Sequence, residues 1–93
     1  MQLPEIGTTM WYITESLKNG RNYVVEQCIV TEIVPKWNEV VLLGPHGDLY
    51  YHRPKQKYAY FTHDEAVQAA HRMADADNPR WGWMGITEVI DDA

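Results

Sequence analysis

Ninety-three residues, with 45% hydrophobic and 23% charged side chains, suit one domain spanning 1–93 and leave no room for a second independent core. Cys28 is the only cysteine, which excludes an intrachain disulfide, and no Cys/His spacing matches a structural zinc site. A net charge of −5 argues against a protein that coats nucleic-acid duplexes, because such proteins are normally basic.

Along the chain, residues 1–8 carry Pro4 and Gly7 and read as a lead-in without the basic start or apolar core of a signal peptide. Thr9 to Thr14 is rich in β-formers and predicts a first strand, with Trp11 and Ile13 on one face and Met10 and Tyr12 on the other. Lys18 to Asn22 contains Asn19-Gly20, a pair that takes positive φ readily, and predicts a turn. Tyr23 to Val34 is β-branched and lacks helical periodicity, so it predicts a long strand. Its alternation is broken, since Val25 and Ile29 share a face with Gln27 and Thr31 while Cys28 and Val30 share one with Glu26 and Glu32. A bend or bulge that turns both halves toward one core accounts for that confusion.

Pro35 to Asn38 predicts a turn before a strand at Glu39 to Leu43. Gly44-Pro45-His46-Gly47 has proline second and glycine fourth, a type I turn that leads into a returning strand at Leu49 to His52. A basic loop from Arg53 to Lys57 precedes a short aromatic strand at Tyr58 to Phe61. Thr62 and Glu65 then form a capping box, with Asp64 and Glu65 suiting the positive end of a helix that runs from about His63 to about Asp75. Ala66, Val67, Ala70, Met73 and Ala74 make its buried stripe, and Asp64, Gln68, Arg72 and Asp75 face water. Asn78-Pro79 is expected to stop the helix. Ile86 to Ile90 adds a last strand, after which Asp91, Asp92 and Ala93 fray. The expected fold is therefore α+β: a bent antiparallel sheet, or an SH3-like partial barrel, of about five strands with one helix packed on it.

This order of strands ahead of Phe61-Thr62-x-x-Glu65-Ala66 resembles the layout of small SH3-like accessory proteins of phages and mobile elements over residues 8–75. The resemblance implies an adaptor or inhibitor of a host macromolecule, with anti-CRISPR and other anti-defence proteins as one such kind. Residues 81–90 extend beyond that layout.

Two binding surfaces follow from the residues themselves. Residues 58–93 hold seven acids against Arg72 and Arg80, whereas residues 1–57 are balanced. That asymmetry predicts an acidic surface facing a basic protein partner, built from Asp64, Asp75, Asp77, Asp91 and Asp92 with Trp81 and Trp83 as apolar anchors. The alternative is a single-strand nucleic-acid platform in which Tyr50, Tyr58 and Tyr60 stack bases while Arg53, Lys55 and Lys57 track phosphates. Neither reading needs a cofactor or metal. The four histidines lack ligand spacing, no catalytic motif is present, and Cys28 in mid-strand reads as a buried thiol, so a non-catalytic module is expected. The longest aliphatic run, Val40 to Leu43, is far too short to span a bilayer, and the lone cysteine suits a reducing, cytoplasmic setting.

Overall fold

The computed structural model describes residues 3–18, 20–81 and 88–91, the side chains of 78–81 excepted. Among these residues six strands form one open sheet: β1 (Thr9–Ser16), β2 (Asn22–Val34), β3 (Glu39–Leu43), β4 (Leu49–His52), β5 (Ala59–Tyr60) and β6 (Glu88–Asp91). The spatial order is β4-β3-β2-β1-β5, every neighbour antiparallel, so the architecture is α+β with a curled sheet rather than a closed barrel. The sixth strand departs from the antiparallel expectation. β6 runs parallel to β2, with Asn22 opposite Glu88 and Val25 opposite Asp91.

β2 is the hub because its length lets it serve three partners. Its Asn22–Ile29 portion pairs with β1 along one edge, and β6 and β3 share the other edge, against Asn22–Val25 and Ile29–Val34 respectively. The predicted bulge is present between Val30 and Glu32. One extra residue there reverses the alternation, so Ile33 packs in the same cluster as Val30 despite the odd spacing between them.

Both faces of the sheet bury apolar side chains. On one face Ile13, Tyr23 and Val25 meet the helix α1 (His63–Trp81) through Ala66, Ala69, Ala70 and Ala74, with Trp11, Tyr60, Val67 and Met73 around them. Four alanines let the helix lie close to the strands, and they confirm the predicted stripe with Ala69 added. On the opposite face Met10, Cys28, Val30, Val40 and Leu42 form a second cluster, closed by Leu3, Tyr12, Ile33, Tyr50 and Ala59. The one sheet thus carries an apolar cluster on each of its faces.

The helix start behaves as predicted in outline. The Thr62 hydroxyl oxygen accepts the Glu65 backbone N–H at 3.3 Å, and its proton goes to the Glu65 carboxylate at 2.7 Å. Glu65 therefore folds back onto the capping hydroxyl rather than onto the Thr62 backbone. The helix end differs from expectation, since α1 continues through Pro79 to Trp81. A proline removes one helical N–H, here the one that would bond the Asp75 carbonyl, so the helix passes this point at the loss of that bond. Asp91 also departs from expectation. It ends β6 in the sheet instead of fraying, held by strand pairing and by His63.

Two histidines set opposite pH responses on this frame. Burial lowers the pKa of His52 below its ordinary 6.5, so the stability tied to its neutral ring is complete above that value and is lost as pH falls through the folded pKa. His63 bonds Asp91 and, more weakly, Asp64, and these contacts raise its pKa. Its contribution is complete below the ordinary value and is lost as pH rises through the folded pKa. Urea unfolding of His63→Gln between pH 5 and 8 is expected to show a variant weaker than wild type at the acid end and equal to it at the alkaline end. A wild-type advantage that is constant across that range would mean that the Asp91 contact carries no charge.

Candidate functional site

The hairpin register determines which side chains β3 and β4 present together. Leu43 lies opposite Leu49 and Val41 opposite Tyr51, while across the other edge of β3 Leu43 faces Ile29 and Val41 faces Glu32. Directly opposed residues in an antiparallel pair point to the same side. Ile29, Leu43 and Leu49 therefore form a row across three strands, with Val41 and Tyr51 in the next row. This is the face on which α1 packs, but the helix covers only its other half, over Ile13, Tyr23 and Val25.

Trp37 extends the surface at the end of β2. It lies in the short 3-10 turn Pro35–Trp37, and the αL conformation of Asn38 (φ 49°) closes that turn before β3 begins. The Lys36 ammonium and the Arg53 guanidinium each lie 5.4 Å from the Trp37 ring centroid. Arg53 also reaches Glu39 at 3.4 Å, on the same face as Val41 and Tyr51. Each cation over the ring is worth about 0.5–1 kcal/mol at such an exposed site, which orders the indole without covering it. Ile29, Leu43, Leu49, Tyr51 and Trp37 are between 39% and 59% exposed. Five large apolar side chains on one side of a small domain make an uncovered patch of the composition found at interaction sites, with Trp, Tyr and Arg among its members.

The predicted acidic surface is only partly assembled. Asp64 and Asp75 face water on the outer side of α1 as expected. Asp77, expected to be exposed, is half-buried: it accepts the Tyr23 phenol proton and lies 3.8 Å from Arg21. That contact closes the helix onto the first residues of β2, because a phenol inside the core needs an acceptor. Asp91 reaches His63 at 2.5 Å, so it too is engaged in the fold. Trp81 is the last helical residue; its side chain, Trp83 and Asp92 lie outside the described residues.

The aromatic-basic segment is divided between the two faces. Tyr50 stacks on Tyr12 with centroids 4.4 Å apart, and its hydroxyl donates to Glu26, a buried carboxylate. Burial and that bond raise its pKa. Tyr58 meets Tyr12 edge-on, whereas Tyr60 packs toward the helix and donates its hydroxyl to the Lys57 carbonyl at 2.8 Å. Lys55 and Lys57 are exposed on the turn between β4 and β5, and Arg53 is occupied by Glu39 and Trp37. Of the tyrosine rings in this segment Tyr51 is the most exposed, and Tyr58 is exposed as well. The Tyr51 partners Leu43 and Leu49 were detectable from the Gly44 to Gly47 turn, which sets their register. Their exposure was not, since it depends on where the helix lies.

Cys28 is fully buried, and desolvation followed by the Glu26 charge pushes its thiol up to about 12. Among the described residues, no group of three or more His, Cys, Asp or Glu side chains converges as a metal site, and no helix is long and apolar enough to cross a membrane. Comparison with protein-family models, with curated proteins and with solved structures gave no match, so the reading of this surface rests on its own geometry.

Proposed function

We propose that this chain is a non-catalytic protein-binding module, an adaptor or inhibitor, that docks through the open face of β2, β3 and β4. The carrying observation is the row Ile29, Leu43 and Leu49 with Tyr51 and Trp37 beside it, left exposed on the part of the face that α1 does not cover. In this reading Tyr51 and Trp37 are the anchors, because rigid aromatic rings contribute large contact area at low entropic cost. The exposed carboxylates Asp64 and Asp75 add a negative field that favours a basic partner and acts on encounter more than on the docked complex.

The test begins with affinity purification of the tagged chain from its native cell and continues with the purified partner and isotope-labelled protein. Chemical-shift changes that cluster on Ile29, Leu43, Leu49 and Tyr51 support the proposal. Changes confined to the outer side of α1 reject this face in favour of the acidic one. Fluorescence anisotropy with labelled single-stranded oligonucleotides addresses the other class: micromolar binding near physiological salt would point to nucleic acid instead. Asp64→Asn combined with Asp75→Asn is expected to slow association by a few-fold and flatten its salt dependence, leaving dissociation nearly unchanged, as rim charges do. Asp77 is left out of that variant because its bond to Tyr23 would confound the result with stability.

A further inference from the structure

Beside β5, between the chain that joins β4 to β5 and the first turn of α1, lies a partly open cavity of about 300 Å³. That is the lower end of the range for small-molecule sites, about 300–1,000 Å³. Leu3, Met10, Val40, Ala59 and Phe61 supply apolar walls, and His52 supplies a polar one. His52 is only 4% exposed. Its Nε2 accepts the Tyr58 backbone N–H at 3.2 Å, which places the proton of the neutral ring on Nδ1. That N–H has no acceptor among the described residues. The N–H is on the wall of a water-accessible cavity, and an apolar cavity with one such donor is the usual form of a small-molecule site.

The charged lining residues are Lys57 and Glu65. Glu65 is committed to the Thr62 hydroxyl at the start of the helix, whereas Lys57 makes no ion pair among the described residues. Lys57 is held in the αL region (φ 58°) at the end of the 3-10 turn Pro54–Gln56, and its carbonyl accepts the Tyr60 hydroxyl proton. The backbone that carries this cation is thereby set over the cavity.

From these observations we infer that the cavity binds a small carboxylic acid with an apolar body, of the size of an arylacetic or medium-chain acid. The carboxylate accepts from His52 Nδ1–H and pairs with Lys57, while the body fills the space against Met10, Val40 and Ala59. A metal ion does not suit the site, because His52 offers it a proton rather than a lone pair. None of its lining residues belongs to the proposed docking surface, so the inference stands independently of it.

The experiment is titration of the labelled full chain with phenylacetate and, separately, with its uncharged counterpart 2-phenylethanol. Phenylacetate is expected to shift the His52 ring N–H and the Met10 and Val40 methyl signals saturably, and to bind about five- to tenfold tighter than the alcohol. Lys57→Met should remove that preference while leaving the weaker binding in place. Ala59→Phe should fill the cavity and abolish both. Should that variant fail to fold, the shift map of the wild-type chain decides alone. No saturable shift at millimolar phenylacetate, or shifts away from His52, would overturn the inference. Equal binding of acid and alcohol with unchanged affinity in Lys57→Met would overturn the carboxylate assignment.

Discussion

Ala70→Glu is expected to unfold the domain or to lower its melting temperature by more than about 12 °C, from a loss of about 3–5 kcal/mol at about 4–8 °C per kcal/mol. Ala70 is fully buried, and it lies in the cluster that joins Ile13, Tyr23 and Val25 to the helix. The methyl side chain leaves no space for a carboxylate, and the cluster holds no cation to pair with one, so the substitution combines overpacking with an unpaired buried charge. A domain of this size has a total stability of about 5–14 kcal/mol, so the loss is a large part of the whole. Gln68→Glu, two residues earlier on the exposed side of the same helix, is the control and should stay within about 0.5 kcal/mol of wild type. Thermal and urea unfolding followed by circular dichroism measure both. A melting temperature for Ala70→Glu equal to that of the control would mean that the alanine stripe does not seat the helix.

The double variant Leu49→Thr with Tyr51→Thr is expected to weaken partner binding by about thirtyfold or more while leaving stability nearly unchanged. The binding estimate takes one lost anchor at about 2 kcal/mol, with about 1.4 kcal/mol per tenfold. Both side chains are more than half exposed already, so their removal leaves no cavity, and threonine preserves the strand preference of β4. Calorimetry with the purified partner gives the affinity, and thermal unfolding verifies the fold. Binding retained at wild-type strength would remove the β2–β3–β4 face from consideration and leave the helix carboxylates. A wild-type protein that sediments as a dimer, with the double variant monomeric, would identify the partner as a second copy of the chain.

Much of the local structure is legible in the sequence because it depends on neighbouring residues. The Thr62-x-x-Glu65 start, the Gly44 to Gly47 turn and the alanine stripe each involve positions within a turn or two of one another, and all three are present. The broken alternation of Tyr23 to Val34 pointed to a bulge, and the bulge lies between Val30 and Glu32. The candidate surfaces were less legible. Charge count singled out Asp77 and Asp91, but Tyr23 and His63 draw both into the fold from positions 54 and 28 residues away. The basic-aromatic run pointed to Tyr50 and Tyr60, yet alternation along β4 and β5 turns those rings inward and leaves Tyr51 outside.

Taken alone, the sequence determined the order of the strands, turns and helix and where the helix starts, though not where it ends, since periodicity, capping and turn chemistry act within a few residues. The tertiary structure decided which sides meet water. Only the docking of α1 over Ile13, Tyr23 and Val25, and no further along the sheet, leaves Ile29, Leu43 and Leu49 uncovered. Only the tertiary arrangement brings Leu3, Val40, His52 and Ala59 around one space, with Glu65 of α1 at its margin, to form the cavity. The parallel placement of β6 beside Asn22–Val25 belongs with these, because it joins segments more than sixty residues apart that no local pattern connects. Burial is a property of what packs against a residue, and its packing partners come from distant parts of the chain.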